Sequence, residues 1–199
     1  MTRRSPLGSR AVLAALVAVA LLLAGCSLAP SRTPTASPEP PPDVEVSLTN
    51  AANATYDMEV FLLPRPADRA RVTFANGSTR NVGNLSAIDG VGLYGPPIDG
   101  IALRAAEPVD VEPLDQRIYR GVGPRSSVSS TFDSPPRGAA LFVVVTDPDG
   151  VHLWATGTCG TDASLNAFDV EIRDVGPGLS VGCESFGVDT RGTARTAPG

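Results

Sequence analysis

The sequence predicts an all-β domain, and three patterns support that prediction. Apolar and polar residues alternate in short runs, turn-forming residues separate the runs, and no stretch keeps the 3.6-residue period of an amphipathic helix. The alternation begins at 43–50, where Val44, Val46 and Leu48 would share the buried face of a strand. We therefore expect eight or nine short strands in an immunoglobulin-like or fibronectin-like β-sandwich.

The remaining strands follow from the same patterns and from two turn motifs. Asn76-Gly77 favours the positive φ values of a two-residue hairpin, and Asp-Pro-Asp-Gly at 147–150 predicts a second hairpin. The unbroken apolar run 139–145 predicts a strand that is covered on both faces, near the middle of the core. Further strands are expected at 56–62, 70–74, 115–120, 128–132, 167–173 and 179–184.

The segment 84–108 is the least regular part of the predicted domain. Two Ile-Asp-Gly turns flank Pro96-Pro97 there, and no alternation extends across it. We expect a long surface loop or an irregular edge. Loops of this length often carry function, although they can equally be connections without function.

The first 42 residues have the composition of an export segment followed by a linker. Three arginines precede the uncharged run 11–25, and its roughly 15 residues are fewer than the roughly 20 that a spanning helix needs, which favours a cleaved signal peptide. Six prolines in 27–42 favour an extended stalk over a folded segment. The expected organisation is signal peptide 1–25, lipidated cysteine and stalk 26–42, β-sandwich domain 43–189 and disordered tail 190–199.

The signal peptide ends on Leu23-Ala24-Gly25-Cys26, which resembles the lipobox of prokaryotic lipoproteins. That resemblance implies cleavage before Cys26, a thioether-linked lipid on its sulfur and anchoring to the outer face of the cytoplasmic membrane. The segment 2–7, Thr-Arg-Arg-Ser-Pro-Leu, resembles a twin-arginine motif, which implies export of an already folded domain. Together with the acidic, lysine-free composition, these features resemble surface lipoproteins of halophilic archaea. The alternative to lipidation is that Cys26 is a buried cysteine in a plain anchor helix.

The charge balance argues against a nucleic-acid partner. The formal net charge of −5 becomes −8 once residues 1–25, with their three arginines, are removed. An acidic domain repels phosphate backbones, and no cluster of basic residues interleaved with aromatic ones occurs. The expected partners are the membrane, through the lipid on Cys26, and an unknown protein or glycan at the cell surface.

Two cysteines remain after Cys26 is assigned to lipid. Cys159 and Cys183 form an even pair in an exported domain, which is most simply interpreted as a disulfide. Its loop of about 25 residues would contribute roughly 3.5 kcal/mol in the chain-entropy model. Two free thiols and metal ligation remain as alternatives.

Two catalytic-looking motifs do not have the context that their chemistry requires. Residues 90–95 fit G-x-G-x-x-G, but Pro96-Pro97 follows where a nucleotide-binding helix would have to begin. Residues 178–182 fit G-x-S-x-G around Ser180, but no histidine follows it in the chain. We therefore expect neither nucleotide binding nor serine hydrolysis.

The single histidine, His152, predicts no site by itself because acid–base and metal sites need companions. The mature chain has one histidine and one methionine, which excludes a blue-copper centre. A zinc site from His152, Cys159, Cys183 and a carboxylate is a minor alternative. Asp147 and Asp149 are interpreted as turn residues rather than as calcium ligands. The sequence thus assigns no catalytic, cofactor or metal residue.

Asn53, Asn76 and Asn84 each begin an N-x-S/T sequon on a predicted loop or turn, so all three are candidates for N-glycosylation.

For function, the sequence favours a non-enzymatic binding or scaffolding module that is presented at the cell surface and binds through sandwich edges or the 84–108 segment. The alternatives are a carboxylate-dependent extracellular hydrolase and an accessory subunit of a membrane complex.

Overall fold

The computed structural model describes residues 40–87, 90–95, 98 and 101–185. The predicted signal peptide, Cys26, most of the stalk and the tail lie outside this range. Within it the chain forms twelve strands and one short 3-10 helix, and none of its helical segments is long and apolar enough to cross a membrane. The strands are β1 (Val44–Asn50), β2 (Tyr56–Leu63), β3 (Ala70–Phe74), β4 (Thr79–Val82), β5 (Gly90–Tyr94), β6 (Leu103–Pro108), β7 (Asp115–Val122), β8 (Ser126–Phe132), β9 (Ala140–Asp147), β10 (Gly150–Thr158), β11 (Ala163–Ile172) and β12 (Gly178–Ser185).

The strands form three sheets. The front sheet has the order β12-β11-β1-β8, the central sheet β5-β10-β9-β2-β7 and the back sheet β4-β3-β6. Strands β1 and β11 run parallel, and the other paired strands are antiparallel. The all-β sandwich prediction is confirmed, although twelve strands are described rather than eight or nine.

Two hydrophobic cores hold the three layers together, one on each face of the central sheet. On β9, Val143 and Val145 belong to the core facing the front sheet, whereas Phe142 and Val144 belong to the core facing the back sheet. Successive strand residues point to opposite faces, so a strand buried on both faces must be apolar throughout. This arrangement confirms the interpretation of 139–145 as a strand covered on both sides.

The segment 84–108 is more ordered than predicted. It contains β5, an edge strand of the central sheet, and β6, an edge strand of the back sheet. The prediction of a long loop was wrong for these two strands, while the prediction of an edge holds. Glycine in β5 and the Ala105-Ala106 pair in β6 interrupt the alternation that identifies the other strands.

The β3–β4 hairpin differs in detail from the predicted two-residue turn. The Phe74 N–H donates to the Ser78 carbonyl at 2.9 Å, and the Gly77 N–H donates to the Phe74 carbonyl at 2.9 Å. The loop therefore holds three residues, of which only Gly77 has a positive φ, at 84°. This is the type I turn followed by a left-handed glycine that three-residue hairpins favour.

The two ends of the sandwich are distinct. The chain enters the front sheet at Val44, and β12 finishes at Ser185 on the same end of this sheet, so we call it the entry end. The opposite, far end holds the end of β1, the start of β2 and the β9–β10 turn. The Asn50 side chain at the far end of β1 bonds the Val122 carbonyl at the end of β7, which ties the front and central sheets together there.

Candidate functional site

A depression of about 220 Å³ opens at the far end of the central sheet. It is lined by Thr55, Asp57, Thr146, Asp147 and Pro148. The antiparallel register of β2 and β9 creates it, since Asp57 lies directly opposite Thr146. Residues almost ninety positions apart in the chain thereby line one polar concavity.

The loop that carries Thr55 is held in place by a buried asparagine. The Asn50 Nδ2 atom donates to the carbonyls of Ala54, at 2.8 Å, and Val122, at 2.9 Å, while its Oδ1 atom accepts from the Ala52 N–H at 3.1 Å. Asn50 is fully buried, so these bonds supply the polar partners that water would otherwise provide. Asn50 is therefore a positioning residue for one wall of the depression.

Asp147 has two separate roles, one for each carboxylate oxygen. Its Oδ1 atom accepts from the backbone N–H groups of Asp149, at 2.8 Å, and Gly150, at 3.1 Å, which closes the hairpin turn. Its Oδ2 atom lies 3.7 Å from the Nδ1 atom of His152. The interpretation of the Asp-Pro-Asp-Gly motif as turn chemistry is confirmed, and one oxygen remains for contacts near the depression.

His152 occupies an irregularity in the β9–β10 ladder, whose register shifts between Val151 and Leu153. The extra residue of such a bulge can project its side chain away from the regular pleat. The His152 ring packs against Tyr56 at a centroid distance of 5.0 Å. Burial, together with the charges of Asp147 and Asp174, raises the pKa of Tyr56.

Asp57 contributes the second carboxylate of the depression. Its Oδ1 atom accepts from the Gly121 N–H at 2.7 Å, and its Oδ2 atom lies 3.4 Å from the guanidinium of Arg120. The Arg120 side chain is 74% exposed, so an ion pair of this kind contributes little stability. The arrangement shows, however, that a guanidinium group can reach this carboxylate.

The residues that line the depression therefore carry acidic and hydroxyl groups. Within the described part of the chain, no cluster of three or more histidine, cysteine or acidic residues is arranged to hold a metal ion. The structure also provides no hydrogen bond from His152 to a serine, threonine or cysteine nucleophile in these ranges.

The disulfide between Cys159 and Cys183 is present, with the two Cα atoms 5.6 Å apart. It joins the end of β10 to β12 at the entry end and confirms the predicted pairing. The zinc alternative was wrong because the two sulfurs bond each other. His152 also lies seven residues earlier on β10, about 23 Å away along an extended strand.

The two catalytic-looking motifs both form edge strands. Residues 90–94 are β5, and the next element along the chain is another strand, β6. Ser180 lies within β12, where its hydroxyl donates to the Asp169 carboxylate at 3.0 Å. Neither motif turns into a helix, as nucleotide binding and the nucleophile elbow both require.

The solvent face of the front sheet is rich in hydroxyl groups. Its middle row runs across four paired strands through Ser129, Ser47, Asp169 and Ser180. The Ser47 hydroxyl also donates to Asp169, at 2.6 Å. Binding hot spots are enriched in tryptophan, tyrosine and arginine, and this row contains none of them. We therefore use this face as a reference surface in the experiments below.

Comparison with known proteins assigns the chain to no family. No family model matches the chain, and no curated protein matches it. Among solved structures, the chain is similar to the crystal structure of the human-specific toxin intermedilysin, with 9% identity and a TM-score of 0.30. The match covers 71% of this chain and 23% of the toxin chain, and a similarity this weak supports no argument.

Sequence reasoning did not single out Thr55, Asp57 or Asn50. Each is an ordinary polar residue in its own run, and no motif marks any of them. Only the register between β2 and β9 brings the first two together with Asp147. Asn50 forms buried hydrogen bonds to backbone atoms only. Such bonds cannot be recognised from the pattern of side chains in the sequence.

Proposed function

We propose that this chain is an exported lipoprotein that is anchored through Cys26 and presents a non-enzymatic binding module at the cell surface. The chain has three cysteines, and the Cys159–Cys183 disulfide accounts for two of them. Cys26 is the remaining cysteine and stands at the end of the lipobox-like segment. A disulfide also suits an oxidising, extracellular compartment.

The tether and the depression lie at opposite ends of the domain, which supports presentation of a binding site at the cell surface. The proline-rich segment leads into β1 at the entry end, whereas the depression lies at the far end. A seven-residue strand separates the two ends by roughly 20 Å. In an anchored protein the depression would therefore lie at the end of the domain opposite the one where the tether joins β1.

The observation that favours binding is a concavity at the far end that is lined by two acidic residues, Asp57 and Asp147. Carboxylate oxygens accept hydrogen bonds from ammonium and guanidinium groups, and such charge-assisted bonds are the stronger ones. The partner that fits best is a surface protein or other envelope component that presents a basic or hydrogen-bond-donating group.

The test is crosslinking and affinity capture of the lipoprotein from intact cells. The double variant Asp57→Asn and Asp147→Asn keeps the side-chain shape, including the oxygen that closes the β9–β10 turn, but removes both charges. We expect it to capture the partner at least tenfold less efficiently, whereas Asp169→Asn on the front sheet should behave as wild type. Equal capture by all three proteins would exclude the depression as the binding site.

A carboxylate-dependent hydrolase is the second candidate, because two aspartates in one concavity are also the minimum for acid–base hydrolysis of glycosides. Turnover of a panel of glycosides by wild type, lost in Asp57→Asn or Asp147→Asn and retained in Asp169→Asn, would support catalysis over binding alone.

A further inference from the structure

The three N-x-S/T sequons are in different structural states, and this difference ranks them as acceptors. In glycosylation the Nδ2 atom of asparagine becomes bonded to the sugar, so that atom has to be accessible. The resemblance to a twin-arginine signal implies that the domain crosses the membrane already folded. The folded structure then decides which Nδ2 atom a transferase outside the membrane can reach.

Asn53 is exposed, but its amide is engaged. Its Nδ2 atom donates to the Oδ2 atom of Asp174 at 3.2 Å, and its backbone N–H donates to the other oxygen of the same carboxylate at 3.3 Å. Both contacts would have to break before Asn53 could react. This clamp joins the β1–β2 loop to the turn after β11.

In the Asn84 sequon the group that is already hydrogen-bonded is the hydroxyl of its serine, Ser86. The Ser86 hydroxyl donates to the Asp68 carboxylate at 2.8 Å, and Asn84 itself has a positive φ of 64°, which a non-glycine residue adopts at an energetic cost. The following residue, Leu85, is buried in the core that faces the back sheet. This sequon is therefore fixed in one conformation by its neighbours on both sides.

Asn76 differs from both. It is exposed in the three-residue loop of the β3–β4 hairpin, and its Oδ1 atom accepts from the N–H of Ser78, at 2.9 Å, and from the Ser78 hydroxyl, at 2.6 Å. The sequon hydroxyl thus lies against the side chain that reacts. Within the described residues the Nδ2 atom of Asn76 donates to no protein group, and the contact with the Ser78 hydroxyl distinguishes it from Asn84.

We propose that Asn76 carries an N-linked glycan and that Asn53 and Asn84 do not. The inference rests on the proposed export of the chain. The Nδ2 atom attacks the anomeric carbon of a sugar that is activated on a lipid-linked phosphate. The bond between that carbon and the phosphate oxygen breaks, the lipid phosphate leaves, and one amide proton passes to a base of the transferase.

A glycan on Asn76 would stand near the far end of the domain. The Ala75 N–H donates to the Ala102 carbonyl at 2.9 Å, so the hairpin loop adjoins the start of β6. A Cβ atom built on Gly150 would lie 2.3 Å from the Leu103 carbonyl oxygen, which shows how closely β6 approaches the β9–β10 turn. The sugar would therefore lie on the back-sheet side of the end that also holds the depression.

The experiment is peptide mass mapping of the membrane-associated protein purified from the cells that make it, with the lipid on Cys26 measured in the same sample. We expect a sugar mass on the Asn76 peptide and unmodified Asn53 and Asn84 peptides. Ser78→Ala should remove the sugar and Ser78→Thr should retain it. A chain that is lipidated but bare at Asn76, or equally modified at all three sites, would overturn the proposal.

A gain-of-modification variant tests the structural reason directly. Asp174→Ala frees the Asn53 amide and should make Asn53 a second acceptor, whereas Asp133→Ala at the entry end removes the same charge without that effect. If Asp174→Ala adds no sugar to Asn53, the hydrogen bonds to Asp174 are not what prevents modification of Asn53. A sugar on Asn76 without lipid on Cys26 would refute the anchoring and leave the glycan proposal standing, whereas absence of both would overturn both.

Discussion

A few polar residues in this protein are more important than their exposure suggests, and Asn50 is the clearest example. It is buried at the junction of two sheets, and all three of its hydrogen bonds go to backbone groups. A buried polar group that loses its partner costs about 1–3 kcal/mol, which is more than a typical satisfied bond contributes. The conformation of the β1–β2 loop, and with it one wall of the depression, therefore depends on this side chain.

We predict that Asn50→Ala lowers the free energy of unfolding by about 2 kcal/mol, because two carbonyls and one N–H are left without their partner. Urea denaturation of the domain measures the change. Asn81→Ala, at an exposed position on β4, should stay within about 0.5 kcal/mol of wild type. Equal stability of the two variants would show that the Asn50 network is not formed in solution.

Asp110 ties two connections together near the start of β3. Its carboxylate accepts from the backbone N–H groups of Asp68, at 3.0 Å, and Arg69, at 3.1 Å, and the Arg65 guanidinium lies 3.7 Å away. Partial burial opposes ionisation, but the backbone hydrogen bonds and the charge of Arg65 outweigh it and lower the pKa of Asp110 below its ordinary value. The charged form is therefore the one that stabilises the fold.

The lowered pKa of Asp110 sets the direction of a pH effect. Its stabilisation is complete above the ordinary pKa of about 3.8 and is lost as the pH falls through the lower, folded-state pKa. Asp110→Asn should cost about 1–2 kcal/mol at pH 7, and the gap to wild type should narrow near pH 3. Denaturation at both pH values measures this, and a gap that does not change with pH would contradict it.

At the scale of strands, alternation, one unbroken apolar run and two turn motifs together located ten of the twelve described strands. The sequence could also have indicated three layers, because the all-apolar run of β9 requires cover on both faces. The other two strands, β5 and β6, were missed because glycines in β5 and the Ala105-Ala106 pair in β6 interrupt the alternation. The depression could not be predicted, because strand register and not any local motif brings Asp57 of β2 beside Thr146 of β9.

The disulfide acts on the elements at the entry end, where it joins β10 of the central sheet to β12 of the front sheet. We expect the double variant Cys159→Ser and Cys183→Ser to lose roughly 3.5 kcal/mol, the loop-closure contribution of about 25 residues. Thermal denaturation with and without a reductant measures the loss. If reduction leaves the wild-type transition unchanged, the bond contributes nothing to stability.

At the scale of the whole molecule, the two ends of the sandwich have different chemistry. The chain enters and the last described strand finishes at one end, which the disulfide reinforces. The other end holds the carboxylate-lined depression and adjoins the Asn76 hairpin. This division suits a protein that is tethered at one end and binds at the other, so the proposed function depends first on the lipid tether at Cys26.

The most direct test of that claim is the mass of the N-terminal peptide of the protein isolated from membranes. The account predicts a mature chain that begins at Cys26, with a lipid mass on that residue, and that partitions into a detergent phase. The Cys26→Ser variant should keep its leader and lack the lipid. A wild-type chain that retains residues 1–25, or that begins at Cys26 with a free thiol, would contradict the account.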